Sequence, residues 1–233
     1  MEKEINHMKK IFCIGDIHGS YKGLIQCLER ANFNYQKDRL ICLGDVADGW
    51  TETYECVEEL MKIKDLIYVR GNHDQWLKDW LKEGKQPDVW TLQGGQNTLK
   101  SYMKHNPSDW KRHLDFFKAT NFYYVDDKDR CFVHGGISQE AKPIEECDKM
   151  FLCWDRELWD KRHTIIDILP FKEVFVGHTS VYRFSHFPIE YNNVWFMDTG
   201  SGWEGKTSIM NIDTHKFWQS DICSGLYPDV LGR

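Results

Sequence analysis

Short apolar runs recur along the chain, each bounded by glycine, aspartate or asparagine, and between them apolar positions return at helical spacing. Residues 10–14 form the first run, nearly continuous, as expected of a strand covered on both faces. Leu24, Cys27, Leu28 and Ala31 follow at helical intervals, with Ser20 placed to cap them. Residues 39–43 predict a second strand. Val57, Leu60 and Met61 predict a second helix, with Thr51 at its cap and Glu52 and Glu55 suited to its first turn. Residues 66–69 predict a third strand. Two strand–helix units and a further strand in succession indicate an α/β chain.

From about residue 75 to 125 the pattern changes. Trp76, Leu77, Trp80 and Leu81 keep helical spacing, a loop follows around Gly84, Pro87, Gly94 and Gly95, and residues 110–118 predict another helix. The plain expectation is a helical insertion closing one side of the core. The sharper one is a cap that shapes access to a site, since insertions near strand ends often carry specificity. Strand-like runs resume at 131–133, 174–176, 194–197 and 207–210. With no internal repeat, low-complexity tract or linker, residues 1–233 read as a single domain with a helical insertion at about 75–125.

Composition narrows the class. A chain of 233 residues, 28% charged and 41% hydrophobic, can bury a sizeable core and is ordinary for a soluble globular protein. A net charge of −6 gives no nucleic-acid or membrane footprint. No segment approaches the ~18 apolar residues of a membrane span. The first ten residues are charged and lack the apolar stretch of a secretory signal, so a cytoplasmic location is expected. Eight cysteines include no Cys-x-x-Cys pair, and Cys13, Cys27, Cys42, Cys56 and Cys131 sit within strand-like or helix-like runs. They read as small buried hydrophobes in a reducing compartment rather than thiolate zinc ligands.

The candidate chemistry lies in five clusters that each follow a strand-like run: Gly15-Asp16-Ile17-His18-Gly19, Gly44-Asp45-Val46-Ala47-Asp48, Gly71-Asn72-His73-Asp74, His134-Gly135-Gly136 and Gly177-His178-Thr179. Asp16 and His18 stand two apart and leave extended backbone on the same side, where they can share a cation. The Asp45 carboxylate has two oxygens and can bridge two metals. Asn72 offers a neutral oxygen, and His134 and His178 offer imidazole nitrogens. Mixed oxygen and nitrogen donors without sulfur suit manganese, iron or zinc in a hydrolytic site. His105, His163 and His215 belong to no cluster and read as structural.

In this order the clusters resemble the calcineurin-like metallophosphoesterases, and most of all the compact bacterial and bacteriophage-type serine/threonine phosphatases of the phosphoprotein phosphatase branch. Trp154-Asp155-Arg156-Glu157 and Asp198-Thr199-Gly200 extend the resemblance, which runs from Ile11 to about Ile212. It implies a four-layer αββα sandwich of two mixed β-sheets with flanking helices. It also implies two divalent cations, manganese first, with iron or zinc as alternatives. Carried over by motif, Asp16, His18 and Asp45 would hold one cation, and Asp45, Asn72, His134 and His178 the other. A hydroxide bridging the two would attack phosphorus directly, without a phosphoenzyme. His73 would protonate the leaving oxygen, Asp48 would orient its ring, and Arg156, with Asn72, would bind the substrate phosphate.

The chain departs from that pattern at Gly49, where the family usually has an arginine that clamps phosphate, and at Asp74, where glutamate is more usual. Arg70 is a weak substitute that is better read as pairing with a carboxylate. Trp50 is a residue to watch for lining the pocket, and the Gly200–Gly205 region reads as a tight turn. The expected substrate is a phosphorylated protein or a small phosphomonoester. The same chemistry on dinucleoside polyphosphates or nucleic-acid ends is the alternative, and a non-catalytic scaffold is the alternative of another class.

Overall fold

The computed structural model describes residues 9–137, 143–164, 167–168 and 170–233. Most of the charged leading stretch, on which the expected lack of a secretory signal rests, lies outside them.

Ten strands fall into two five-stranded sheets among the described residues. The first has the order β10-β9-β1-β2-β3, built from β1 (Ile11–Ile14), β2 (Arg39–Cys42), β3 (Asp65–Tyr68), β9 (Ser208–Asn211) and β10 (Phe217–Gln219). The second runs β4-β5-β6-β8-β7, from β4 (Tyr123–Val125), β5 (Arg130–Val133), β6 (Glu173–Val176), β7 (Ile189–Tyr191) and β8 (Val194–Phe196). Both are mixed: β1, β2 and β3 run parallel, as do β5, β6 and β8, while the remaining partners are antiparallel.

Side-chain alternation divides each inner strand between two cores. Cys13, Ile41, Phe132, Phe175 and Met210 form one core between the sheets, where the rings of Phe132 and Phe175 stack at 4.9 Å. Phe12 and Ile14, one residue either side of Cys13, face outward into a core roofed by α1 (Tyr21–Arg30), α2 (Thr53–Leu60) and α3 (Asn72–Glu83). Val174 and Val176 face the corresponding outer core of the second sheet, which also holds Leu152 and Leu158. The layers are therefore the expected helix–sheet–sheet–helix.

The parallel arrangement places the site. Cα register aligns Ile14 with Cys42 and Cys42 with Tyr68, and in the other sheet Val133 with Val176 and Val176 with Phe196. Every candidate cluster begins just past one of these ends, so ligands distant in sequence are delivered to one rim.

The insertion is helical, with a single turn α4 (Asp88–Trp90), a π-turn at Thr91–Gly95, then α5 (Gln96–Tyr102) and α6 (Pro107–Ala119). It packs α6 on α3 and α5 on α2. The two expected caps do not form. Ser20 is at the N-cap of α1, but its hydroxyl turns inward to Cys223 Sγ at 3.4 Å; the N-cap of α2 is Glu52, not Thr51, and its side chain caps nothing. Among the described residues Arg70 makes no ion pair with a carboxylate either. Its guanidinium donates to Thr120 Oγ1, Gln75 Oε1 and Phe117 O, tying α3 to the end of α6. All eight cysteines are buried free thiols.

Candidate metal centre

Tight turns at the strand ends aim the polar groups inward. His18, Asp45, Asp48 and His178 all have left-handed backbone, with φ between 50° and 69°. Non-glycine residues avoid that region, and such strain gathers where a site requires it. Asp74 supports the Asp45 turn. Its carboxylate accepts from the backbone N–H of Asp45 at 2.8 Å, of Val46 at 3.0 Å and of Gly71 at 3.0 Å, and from Tyr68 Oη at 2.9 Å.

Two triads converge: Asp16, His18 and Asp45, and Asp45, His134 and His178, each with ligand-type atoms within 4.8 Å of one another and all buried. Asp45 belongs to both. Asn72 joins the second, with Oδ1 3.1 Å from His134 Nε2. A backbone carbonyl fixes the proton on each imidazole, because a carbonyl can only accept. Ala47 O at 2.9 Å and Leu43 O at 2.7 Å hold protons on Nδ1 of His18 and His134, leaving Nε2 as the free donor; Trp154 O at 3.2 Å holds Nε2 of His178, leaving Nδ1.

The donor set fits divalent cations. Asp45 Oδ2 is buried without a hydrogen-bond partner and lies 3.2 Å from the free Nε2 of His134. Two lone pairs at that distance need a positive charge between them. Electrostatics agree: burial opposes charging His134, but the Asp45 carboxylate outweighs it and lifts the ring to about 9, so a proton is held where a cation would sit. Burial, then the neighbouring Asp198 charge, pushes Asp16 well above the usual carboxylate range. Burial pushes His178 down to about 2, with His134 and Arg156 adding to the effect, which keeps its ring neutral, as metal ligation would require.

His73 sits beside the triads without joining them. Its Nδ1 is 2.5 Å from Asp48 Oδ2, and its Nε2 is buried without a partner. The ring packs edge-on against His18 at 5.3 Å and Trp76 at 5.0 Å. Asp48 is pinned from the insertion: it accepts from Trp90 Nε1 at 2.9 Å and Thr98 Oγ1 at 2.8 Å, and its own N–H donates to Thr98 Oγ1 at 2.8 Å. Arg156 is exposed at the His178 rim, donating to Thr179 Oγ1 at 3.2 Å.

The structure thus gathers Asp16, His18, Asp45, Asn72, His134 and His178 around one centre, with His73–Asp48 on one side and Arg156 at the edge. Two expectations change. Trp50 is packed inside the fold: it is 1% exposed, donates from Nε1 to Ser201 O at 2.6 Å and stacks on Tyr227 at 5.1 Å. Gly49 has φ +94°, and a Cβ there would meet His18 O at 2.9 Å, so this turn admits no side chain without strain. Sequence reasoning missed the roles of Asp74, Trp90 and Thr98. It also missed Asp198, whose Oδ2 is buried and unpartnered and whose carboxyl burial pushes up to about 6. In the sequence Asp198 stood out only as part of the Asp198-Thr199-Gly200 match after a strand-like run, with no role attached to it.

Comparison with known proteins places this geometry. The chain is 25% identical to serine/threonine-protein phosphatase 1 of Salmonella typhimurium, over 90% of this chain and 94% of that protein. It is 41% identical to a symmetrical bis(5'-nucleosyl)-tetraphosphatase of Pseudomonas entomophila, over 90% of this chain and 93% of the relative. That alignment spans 277 positions, more than this chain has, so it contains insertions. Among solved structures, a candidate diadenosine tetraphosphatase superposes with a TM-score of 0.69 at 17% identity, covering 92% of this chain and 94% of its own, a likeness of fold. The calcineurin-like phosphoesterase family matches residues 9–216, and the chain belongs to that family.

Proposed function

We propose that this protein is a binuclear metal-dependent phosphomonoester hydrolase acting on phosphoserine and phosphothreonine esters. The observation that carries the reading is the shared carboxylate of Asp45 between two ligand triads, its Oδ2 buried without a hydrogen-bond partner, with the free Nε2 of His73 buried beside it. Two cations held by Asp16, His18, Asp45, Asn72, His134 and His178 would acidify water and neutralise phosphate charge. The chain's own groups supply the rest. With Nδ1 engaged by Asp48, a proton carried on His73 Nε2 can pass to the departing oxygen. Asp48 cannot swing away, because Trp90 and Thr98 hold both its oxygens. The Arg156 fork binds non-bridging phosphate oxygens from the open side. Eight buried free thiols support a reducing, cytoplasmic setting as part of this proposal, and no helix among the described residues is long and apolar enough to cross a membrane.

A second reading, hydrolysis of dinucleoside polyphosphates, is favoured by a specific feature. Aromatic pairs border the centre on both sides: Trp76 with Trp154 at 5.2 Å, and Trp203 stacked with Tyr182 at 6.2 Å. Trp154 and Trp203 adjoin His178 and His18, at 6.2 and 6.1 Å, and such faces can receive two bases. One panel decides between them, measuring kcat/KM of manganese-loaded protein on a phosphothreonine peptide, a bis(5'-nucleosyl) tetraphosphate and a 2',3'-cyclic nucleotide. Preference for the peptide supports the first reading; preference for the tetraphosphate replaces it with the second. Asp45→Ala should lose both cations and all turnover. A wild-type protein that binds no cations would be a scaffold with this fold.

A further inference from the structure

The segment following the short helix Cys223–Leu226 returns to the candidate metal centre and ends its described course with a guanidinium at His18. Arg233 Nη1 lies 3.2 Å from His18 Nε2, the nitrogen left free for a cation, and Nη2 donates to Gln93 Oε1 at 3.3 Å. The guanidinium also sits over the Trp203 ring at 4.7 Å. No salt bridge joins Arg233 to a carboxylate among the described residues: its direct side-chain partners His18, Gln93 and Trp203 are neutral, and it acts on the buried Asp198 carboxylate only through space.

Its placement is built into the fold. Trp50 and Tyr227 stack and anchor the segment, Asn97 Nδ2 donates to both Gly49 O and Leu231 O, and Arg233 N–H donates to Gly202 O at 2.8 Å. Glycines keep its channel open: a Cβ on Gly94 would come within 3.0 Å of Arg233 Cγ, and one on Gly202 within 3.4 Å of Arg233 Cδ. Gly94 in turn presses on Gly49 N, where its Cβ would reach 2.6 Å. The arginine therefore passes beside the very glycine that cannot carry a side chain.

A monocation beside a pair of dications is repelled unless an anion lies between them. The arrangement is favourable when a phosphate dianion sits on the cations and the guanidinium fork takes its outward oxygens. We propose that Arg233 is a substrate phosphate-binding residue, delivered by the chain's final described segment to the place that residue 49 leaves empty, opposite Arg156 across the centre. The inference rests on the phosphoester-hydrolase reading above.

The test uses full-length, manganese-loaded wild type with Arg233→Ala, Arg233→Lys and Arg156→Ala. It reads metal content by elemental analysis, inorganic phosphate affinity by calorimetry, and kcat/KM on an aryl phosphate. Arg233→Ala should keep its two cations and bind phosphate about 10- to 100-fold more weakly, the loss expected for a charge-assisted contact. Arg233→Lys should recover part of that affinity. Unchanged or tighter phosphate binding in Arg233→Ala would make the arginine a plug over His18 and overturn the proposal. Loss of cations in both variants would also overturn it, by making Arg233 a support for the His18 turn. Failure of wild type to bind cations or hydrolyse any phosphoester would instead defeat the reading on which it rests.

Discussion

His73 differs from its neighbours by a single atom's environment. The free Nε2 of His134 faces the Asp45 carboxylate and that of His18 the Arg233 guanidinium, whereas His73 Nε2 has no hydrogen-bond partner and its Nδ1 is held by a carboxylate. On the proposed function, a ligand and an acid would thereby be separated within one turn, Asn72 serving the cations and His73 the leaving group. His73→Asn should therefore keep cation content while slowing a phosphothreonine peptide by ~10²–10⁴-fold. An activated aryl phosphate, whose leaving group needs little protonation, should slow much less. Equal losses on both substrates, or lost cations, would remove His73 from the acid role. Residue types and strand-end positions of these groups were legible in the sequence, because each ligand sits beside its own glycine. The left-handed backbone of His18, Asp45, Asp48 and His178 was not, since local propensity argues against it and only the packed rim enforces it. Gly49 shows the same limit. In sequence it is a missing arginine, and in the fold it is a turn at φ +94° with no room for one.

At the scale of elements, the insertion is a brace for the Asp48–His73 pair, the proposed acid, as much as a wall. Trp90 ends α4 and Thr98 lies in α5, and both reach past the core to the Asp48 carboxylate, so helices far from the strand ends fix the angle of the His73 ring. Thr98→Val is nearly isosteric, yet it removes a donor to a buried carboxylate and leaves the Asp48 N–H without its acceptor. A cost of about 1–3 kcal/mol is expected, seen as a fall in thermal midpoint of roughly 2–12 °C. If the brace positions the acid, this variant should also repeat the leaving-group selectivity of His73→Asn in milder form, with cation content unchanged. A stability loss without that selectivity would leave Thr98 a purely structural residue. Sequence periodicity found α3 and α6 but not this link, which depends on single polar atoms crossing between elements. It also missed β4, β7 and β10. Each has three residues and lies at a sheet edge, too short for alternation to show and exposed on one side.

For the molecule as a whole, the fold concentrates negative charge where the sheets meet the rim, and bound cations should govern its stability. Burial, then the Asp45 charge, lifts Asp74 to about 6; burial lifts Asp198 to about 6, and burial with the Asp198 charge raises Asp16 well above its ordinary range. Without cations these carboxyls hold protons in the fold that the unfolded chain has already released above its ordinary value of 3.8. A folded state that binds more protons loses stability as pH rises, here from about 4 to about 6, with little further change from Asp74 and Asp198 above that window. Cations supply the positive charge that the departing protons took away. The gap in thermal midpoint between manganese-loaded and chelator-treated protein should therefore widen from pH 4.5 to 6.5 and then stay wide. Carboxylates depressed by surface partners, such as Glu58 beside His113 and Arg112, act in the opposite direction but equally in both forms, so they cancel in the difference. Scanning calorimetry of the two forms across that range checks it. A gap that stays constant or narrows with rising pH would mean that cations do not replace those protons, and would count against a cation site framed by Asp16, Asp45 and Asp198.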